Sequence, residues 1–305
     1  MTRTGAAMLD GRVVAGHGRR YVVETANGTR LLCLTAGRSL QPVCGDRVQV
    51  EPDADGALIR KVLPRTSLFS KTDDRGKSIP AAANLDLVLV ALAVEPRPDS
   101  FLTDKYLAAI GAMGLKPGIV FNKIDLPDAS AVEADTHLTY FEKLGYPVFR
   151  LSTKGKLGLE SLRTALSDKC SLLVGQSGVG KSSLLNILVP EARSRITELS
   201  AATGEGKHTT TSTTLHPLPG GGSLLDSPGV RDLSLAHCPP EALKSLFVEF
   251  TPRAGHCRFA DCLHITEPSC AVRAAVENKE IPESRYKSYQ RLVKTMKEVQ
   301  DRKYD

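Results

Sequence analysis

Residues 175–182 read Gly175-Gln176-Ser177-Gly178-Val179-Gly180-Lys181-Ser182, and Ser183 follows them. The run lies between an apolar segment that predicts a strand, Cys170 to Val174, and an amphipathic segment that predicts a helix, Lys181 to Leu188. Glycines let backbone N–H groups point inward around phosphates at a helix N-terminus, where the dipole favours negative charge. Lys181 is suited to neutralise the β- and γ-phosphates and Ser182 to ligate Mg²⁺. These nine residues therefore predict a nucleoside triphosphate site.

A second motif, Asn122-Lys123-Ile124-Asp125, follows a predicted strand that ends at Phe121. An aspartate carboxylate presents paired acceptors, and guanine offers matching N–H donors at its ring nitrogen and its exocyclic amine. Adenine offers no such pair, so the carboxylate selects against it. Taken alone, the motif is also compatible with a polar loop after a strand. Beside a phosphate-binding loop it indicates that GTP and GDP are the ligands.

Two further segments fit this nucleotide site. Asp226-Ser227-Pro228-Gly229 follows a short predicted strand; Asp226 is suited to hold Mg²⁺ through water and the Gly229 N–H to contact the γ-phosphate. Gly204 to Thr214 is rich in glycine and threonine and is typical of a first switch segment. The base-reading motif precedes the phosphate-binding loop, the reverse of the usual GTPase order, which indicates a circular permutation.

The pattern of predicted secondary structure around these motifs changes twice along the chain. Five short predicted strands between Arg12 and Leu63, with a hairpin signal at Asn27-Gly28, indicate a small β-barrel; we expect an OB-fold, with an SH3-like barrel left open. Arg65 to Ala83 has no clear periodicity and predicts a linker. Strands and helices then alternate up to the Asp226 turn, which predicts a mainly parallel sheet with its ligand at the carboxyl ends of the strands.

Cysteines cluster near the end of the chain. Cys257, Cys262, His264 and Cys270 give the spacing C-x4-C-x-H-x5-C, and His256 is a nearby competing ligand. Three thiolates and an imidazole leave no open position on a tetrahedral zinc ion, so we expect a structural zinc site. A basic segment from Ser284 to Lys303 carries apolar residues at helical spacing and predicts a helix.

Composition limits the classes of protein that fit. With 41% hydrophobic and 24% charged residues, disordered and membrane proteins have little support, and the basic first twenty residues lack the apolar block of a secretory signal. We therefore expect a cytoplasmic protein. Residues 1–72 hold 11 basic and 6 acidic side chains, against 17 and 18 in residues 73–236 and 12 and 10 in residues 237–305. The excess of basic side chains in residues 1–72 and 237–305 suits the binding of a polyanion by these two flanking regions. Ordinary solvent-exposed charge explains the distribution equally well.

The order of the motifs and the Cys/His cluster closely resemble the ribosome small-subunit-dependent GTPase A family over nearly the whole chain. The resemblance implies an OB-fold RNA-binding domain (1–72), a circularly permuted α/β GTPase domain (73–236) and a mainly α-helical zinc domain (237–305). It implies binding to the small (30S) ribosomal subunit and its rRNA, subunit-stimulated hydrolysis of GTP during late maturation, and His264 as the zinc ligand. We expect a monomer with no membrane contact.

The catalytic residues follow from the same comparison. Val230 stands where ordinary GTPases carry a glutamine that positions water. Both the resemblance and imidazole chemistry point to His208 as the substitute, with Lys181 stabilising phosphate charge. Two alternatives remain: an ATP-using P-loop enzyme, and a non-catalytic RNA-binding chaperone that holds a nucleotide.

Overall fold

The computed structural model describes residues 7–53, 56–72, 77–126, 130–190, 213–226, 233, 235 and 238–304. The strands in these residues are β1 (Leu9–His17), β2 (Arg20–Thr25), β3 (Arg30–Thr35), β4 (Arg47–Asp53), β5 (Gly56–Val62), β6 (Leu68–Thr72), β7 (Ser78–Ala83), β8 (Leu87–Ala93), β9 (Pro117–Asn122), β10 (Val148–Arg150), β11 (Cys170–Gly175), β12 (Thr214–Pro217) and β13 (Ser223–Asp226). The helices are α1 (Ser100–Ala112), α2 (Ser130–Lys143), α3 (Leu159–Leu166), α4 (Lys181–Leu188), α5 (Pro240–Leu246), α6 (Thr251–Ala254), α7 (Ala271–Glu277) and α8 (Glu283–Tyr304). None of these helices is both long enough and apolar enough to span a bilayer.

Strands β1 to β5 close into a barrel. Strand β1 pairs with both β2 and β4, and the β2–β3, β3–β5 and β4–β5 pairs complete the ring. Alternate side chains point inward, as the two-residue period of a strand requires. The interior is filled by buried apolar side chains, among them Val13, Val23, Val48, Val50 and Ile59. The predicted OB-like barrel is confirmed.

The turn between β2 and β3 confirms the predicted hairpin but differs from a type I′ turn. Gly28 has φ 81°, whereas Asn27 is not among the residues with positive φ. The Gly28 N–H donates to the Thr25 carbonyl and the Thr25 N–H to the Thr29 carbonyl, both at 2.9 Å. This is a three-residue loop in which only the last residue needs a left-handed conformation.

The prediction of a linker between Arg65 and Ala83 is wrong, because β6 and β7 form an antiparallel hairpin there. Pro80 lies in β7 next to a register shift, and a proline obscures a strand pattern because it removes a backbone donor. The hairpin is tied to the barrel: the Ala83 N–H donates to the Cys44 carbonyl at 2.9 Å, and the Asn84 amide donates to the Gly45 carbonyl at 3.0 Å.

The central sheet has the order β10-β9-β8-β11-β13-β12 and is parallel except for β12. Strand β8 is buried along its whole length, as expected for a strand covered by helices on both faces. The alternation of strands and helices predicted from the sequence is confirmed. The carboxyl ends of β8, β9, β11 and β13 meet at one edge, which is where ligands bind in sheets of this type.

Strand β12 is an element that the sequence did not indicate. Thr214, which the sequence assigns to the end of the switch segment, begins this strand and pairs with Asp226 of β13. On its other side Thr214 pairs with Ala15 of β1, so the central sheet and the barrel are joined edge to edge.

Helices α5 and α8 pack against α1 of the central domain and against each other. Arg285 of α8 is 3% exposed and binds two carboxylates that come from distant parts of the chain. Its Nη1 donates to Asp104 of α1 at 2.5 Å, and its Nε and Nη2 donate to Glu249 at 2.7 and 3.1 Å. The guanidinium also lies over the rings of Phe247 and Phe141, at 4.4 and 5.2 Å from their centroids. Arg285 therefore joins α8 to both α1 and α2.

We predict that Arg285→Met destabilises the protein by about 3–5 kcal/mol, because it leaves two buried carboxylates without their cation. Burial raises the pKa of Asp104 above that of a free aspartate, which the Arg285 charge partly offsets. Since a raised pKa in the folded state favours the protonated form, the loss should shrink as the pH falls. Thermal and urea unfolding measure it. The control is Lys287→Met on the same helix, which removes only an exposed pair with Glu283; an equal loss in both variants would contradict the prediction.

Candidate functional site

The phosphate-binding loop lies between β11 and α4. Gly175, Gly178 and Gly180 have φ values of 140°, 81° and 95°, a region that disfavours other residues. A side chain at Gly175 would place its Cβ 2.4 Å from the Ala91 carbonyl oxygen, and one at Gly180 would place it 2.2 Å from the Asn122 amide nitrogen. The backbone conformation therefore favours glycine at all three positions, and at Gly175 and Gly180 the close neighbouring atoms leave no room for a side chain.

Lys181 begins α4 and folds back over this loop. Its Nζ donates to the carbonyls of Gly175 and Gln176 at 2.8 and 2.5 Å. Burial raises the pKa of Asp226, and the charge of Lys181 opposes the rise. Asp226 is the last residue of β13 and pairs with Leu173 of β11, which lies just before the phosphate-binding loop. The structure thus brings a cation for phosphate and a carboxylate for a hard metal ion to the same edge, with Ser182 and Ser183 in the first turn of α4.

The base-reading motif is attached directly to the phosphate-binding loop. Asn122 ends β9, is 2% exposed, and donates from Nδ2 to the Val179 carbonyl at 2.9 Å. Its Oδ1 accepts from the N–H groups of Lys123 and Thr153 at 2.8 and 3.0 Å. Lys123 has φ 64° and donates from Nζ to the Glu95 carbonyl at 2.5 Å. A single buried side chain therefore fixes the relative positions of three loops.

Asp125 is held by a residue that the sequence analysis missed. The Ser152 hydroxyl donates to Asp125 Oδ1 at 2.5 Å and accepts from the Gly155 N–H at 2.7 Å. The hydrogen bond from Ser152 lowers the pKa of Asp125, so this carboxylate stays an acceptor at neutral pH. The signal was available, because Ser152 to Gly155 is a polar loop directly after β10 and so lies at the same edge of the sheet.

Several predicted residues lie outside the described residues. These are His208, Gly229, Val230 and the switch segment up to Ser212. Ile124, by contrast, is described and is 38% exposed at the surface of the base-reading loop. The remaining predicted residues, Gly175 to Ser183, Asn122 to Asp125 and Asp226, lie around one edge.

The Cys/His cluster is the second candidate site. Cys257, Cys262, His264 and Cys270 place their ligand atoms within 4.8 Å of one another, and among the described residues His256 does not belong to such a group. His264 Nδ1 lies 3.6 Å from Cys257 Sγ and 3.4 Å from Cys270 Sγ, and these two sulfurs are 3.9 Å apart. Sulfur ligands on a tetrahedral zinc ion are about 3.8 Å apart, given Zn–S bonds of about 2.3 Å. The cluster is therefore compatible with zinc.

The loop that carries these ligands is braced by Glu267. Its carboxylate accepts from the N–H groups of Leu263, Ile265 and Thr266 at 2.8, 2.8 and 3.0 Å. Burial alone would raise the pKa of Glu267, but these donors outweigh it and hold the pKa at about 2. Tyr289 of α8 donates from its hydroxyl to the Leu263 carbonyl at 2.7 Å. The metal loop is thus connected to the long helix that also carries Arg285.

The chain is similar to known proteins over almost its whole length. The family model described as RsgA GTPase matches residues 62–236. The small ribosomal subunit biogenesis GTPase RsgA of Chromohalobacter salexigens is 42% identical over 289 residues, which cover 93% of this chain and 85% of that protein. The protein of the same name from Bordetella pertussis is 43% identical over 288 residues, which cover 93% of this chain and 95% of that protein.

Two solved structures share the fold. The crystal structure of YjeQ from Thermotoga maritima has a TM-score of 0.77 and 34% identity, and the match covers 95% of this chain and 99% of that one. YloQ, described as a circularly permuted GTPase, has a TM-score of 0.73 and 27% identity, with 99% and 98% covered. With Asn122 to Asp125 ahead of Gly175 in the chain and beside it in space, the chain belongs to the RsgA GTPase family and is a GTP hydrolase.

Proposed function

We propose that this protein binds the small ribosomal subunit and hydrolyses GTP to GDP and phosphate there, late in maturation of the subunit. The observation that supports the proposal is the hydrogen bond from Asn122 to the Val179 carbonyl, which attaches the base-reading motif to the phosphate-binding loop. The partner is taken from the relatives, which bear the name small ribosomal subunit biogenesis GTPase. A cytoplasmic location and a monomeric state belong to the same proposal.

The division into residues 1–72, 73–236 and 237–305 is also a proposal. The β6–β7 hairpin extends across the first boundary, and the family match begins at residue 62. The hairpin is bonded to the barrel and leads into β8, so it serves as a joint between the first two domains.

Each residue of the nucleotide site has a proposed role. Asp125 accepts the guanine N–H groups, held in place by Ser152, and Asn122 keeps that loop against the phosphates. Backbone N–H groups of the phosphate-binding loop and Lys181 neutralise phosphate charge. The Ser182 hydroxyl and the Asp226 carboxylate are hard oxygen donors that fit Mg²⁺, which supplies charge neutralisation at the β- and γ-phosphates when bound. His208 orients the attacking water, and Gly229 contacts the γ-phosphate.

Zinc is the proposed ion of the Cys/His cluster, one per chain. Cys257, Cys262, His264 and Cys270 are all protein ligands, so the site has no open position for substrate and serves stability. The cluster forms the centre of a small helical region whose aromatic residues Phe250 and Tyr289 pack at 4.9 Å between ring centroids.

The base specificity can be tested at Asp125. An asparagine there presents one acceptor and one donor, which mismatches guanine but matches xanthine, where a carbonyl replaces the exocyclic amine. We predict that Asp125→Asn binds GDP about 100-fold more weakly or worse and prefers xanthosine diphosphate. Titration with fluorescent nucleotides measures both affinities. Glu160→Gln, which neutralises an exposed carboxylate on α3, is the control; unchanged GDP affinity in Asp125→Asn would refute the base-reading role.

Metal removal tests the Cys/His cluster. We predict that one zinc ion copurifies per chain, and that a strong chelator or Cys270→Ser lowers the melting temperature and unfolds helices α7 and α8, because zinc binding contributes directly to folding in small metal domains. Elemental analysis and hydrogen exchange measure the two effects. The matched control is Cys238→Ser, a half-buried thiol outside the cluster. Equal metal content in the two serine variants would rule out the assigned ligands.

Hydrolysis is tested by phosphate release with and without purified small subunits. We expect slow turnover alone and a large stimulation by the subunit, and we predict that His208→Ala removes the stimulation while GDP affinity stays unchanged. Undiminished turnover in this variant would exclude His208 as the group that orients water. ATP competing equally with GTP would favour the ATP-using enzyme, and an absence of multiple turnover with subunits would favour the chaperone.

A further inference from the structure

A cavity of about 400 Å³ lies on the seam between the barrel and the β6–β7 hairpin. Its lining includes Tyr21, Gln41, Pro42, Lys71, Ile79 and Thr213. These residues come from the barrel, from the hairpin and, in the case of Thr213, from the position just before β12, the strand that joins the barrel to the central sheet. Apart from Thr213, which belongs to the predicted switch segment, the cavity is lined by none of the residues assigned to the nucleotide site above.

The walls of this cavity are held in a fixed arrangement. Gly45 has φ 91°, and a Cβ there would lie 2.3 Å from the Ala83 carbonyl oxygen, so barrel and hairpin backbones are in close contact. Arg65 donates to both oxygens of Asp46 at 2.8 and 2.7 Å and to the Gln41 carbonyl at 3.0 Å. Because two independent sets of contacts hold the walls, the cavity is formed before any ligand arrives, as is usual for binding sites.

One wall presents an aromatic ring. A Cβ on Gly16 would lie 2.8 Å from Tyr21 Cδ1, so the ring packs directly against the glycine backbone. The Tyr21 hydroxyl donates to the Gly18 carbonyl at 3.4 Å. These contacts restrain the ring, and a restrained, partly exposed aromatic ring is the usual platform on which proteins stack an unpaired base.

Apart from the neutral polar residues Gln41 and Thr213, the remaining described lining is apolar or basic. Pro42, Ile79 and Ala81 supply apolar surface, Lys71 supplies an ammonium group, and none of the described lining residues is acidic. The surrounding residues 1–72 carry 11 basic and 6 acidic side chains. An aromatic platform, apolar walls and a lysine match a flat heterocycle that carries a phosphate, and Asp46, whose charge acts on Tyr21, is paired with Arg65.

We propose that this cavity binds one nucleotide of a single-stranded RNA segment, with the base against Tyr21 and a phosphate near Lys71. The inference rests on the proposed function, because the small subunit supplies the RNA. The net positive charge of the barrel accounts only for non-specific attraction of RNA. The cavity adds a specific binding site for one nucleotide.

The position of Thr213 connects this cavity to the nucleotide site. The next residue, Thr214, pairs with Ala15 of the barrel on one side and with Asp226 on the other. Asp226 is the carboxylate assigned to Mg²⁺. An RNA nucleotide in the cavity therefore contacts Thr213, the residue next to Thr214, which pairs with Asp226. RNA binding can thereby affect the position of the Asp226 carboxylate in the hydrolytic site.

The test uses fluorescence anisotropy of a fluorescein-labelled decauridylate RNA with the full-length protein, at fixed salt and with saturating GDP in the nucleotide site. We expect Tyr21→Leu to weaken RNA binding about tenfold and Tyr21→Phe to leave it near wild type, because phenylalanine retains the stacking face. Lys71→Gln should weaken RNA binding. It should also reduce the slope of the logarithm of the affinity against the logarithm of the salt concentration by about one, the value expected for the loss of one phosphate contact. The matched control is Lys61→Gln on β5, an exposed lysine outside the cavity.

GDP affinity and melting temperature of each variant establish that it is folded, and the Tyr21→Phe comparison holds even if Tyr21→Leu is destabilised. No RNA binding by the wild type, equal binding by all variants, or ultraviolet crosslinks in the 30S complex that join Tyr21 to a protein would each overturn the proposal. Subunit-stimulated hydrolysis distinguishes a failure of the proposed function from a failure of the cavity assignment. If the wild type shows no stimulation, the proposed function fails; if stimulation persists but the Tyr21 and Lys71 variants leave it and RNA affinity unchanged, only the cavity assignment fails.

Discussion

The hydrogen bond from the Asn122 amide to the Val179 carbonyl is the contact on which the nucleotide site depends. It joins the carboxyl end of β9 to the phosphate-binding loop, and the side-chain oxygen of Asn122, Oδ1, accepts from the Thr153 N–H in the loop after β10. Asn122 is almost completely buried, so its polar atoms have no access to water and must be paired within the protein. The absence of a side chain at Gly180 makes the approach possible. One amide thereby links three loops that lie apart in the chain.

Much of this arrangement could be predicted because local sequence specifies it. Glycines at 175, 178 and 180 adopt backbone angles that other residues disfavour, so the motif predicted the loop itself. The alternation of strands and helices predicted a mainly parallel sheet, and the spacing of Cys257 to Cys270 predicted a cluster that the structure brings together. In each case the physical requirement falls on residues that are close in the chain.

The features that escaped prediction are those decided by distant contacts. The β6–β7 hairpin contains a proline and polar residues, and it is a hairpin because Cys44 and Gly45 of the barrel bond to Ala83 and Asn84. Strand β12 is four residues long, and its pairing partners Ala15 and Asp226 are about 200 and about 10 residues away. Arg285 looked like one of many basic residues on a helix, yet it is buried between Asp104 and Glu249. Burial of a charge cannot be inferred until its partners are known.

These long-range contacts place the nucleotide site between two attachments of different kinds. On the β12 side Thr214 of the central sheet pairs with Ala15 of the barrel, and Arg12 of β1 donates to the Ser223 hydroxyl at 3.3 Å and to Cys170 Sγ at 2.7 Å. Val14 and Val22 of the barrel also belong to the same buried apolar cluster as Leu172 and Leu215 of the central sheet. On the α1 and α2 side the helical region is held by the buried Arg285, whose removal would leave two carboxylates unpaired. The barrel is therefore held to the central sheet by backbone pairing, polar side-chain contacts and apolar packing, whereas a buried ion cluster holds the helical region to α1.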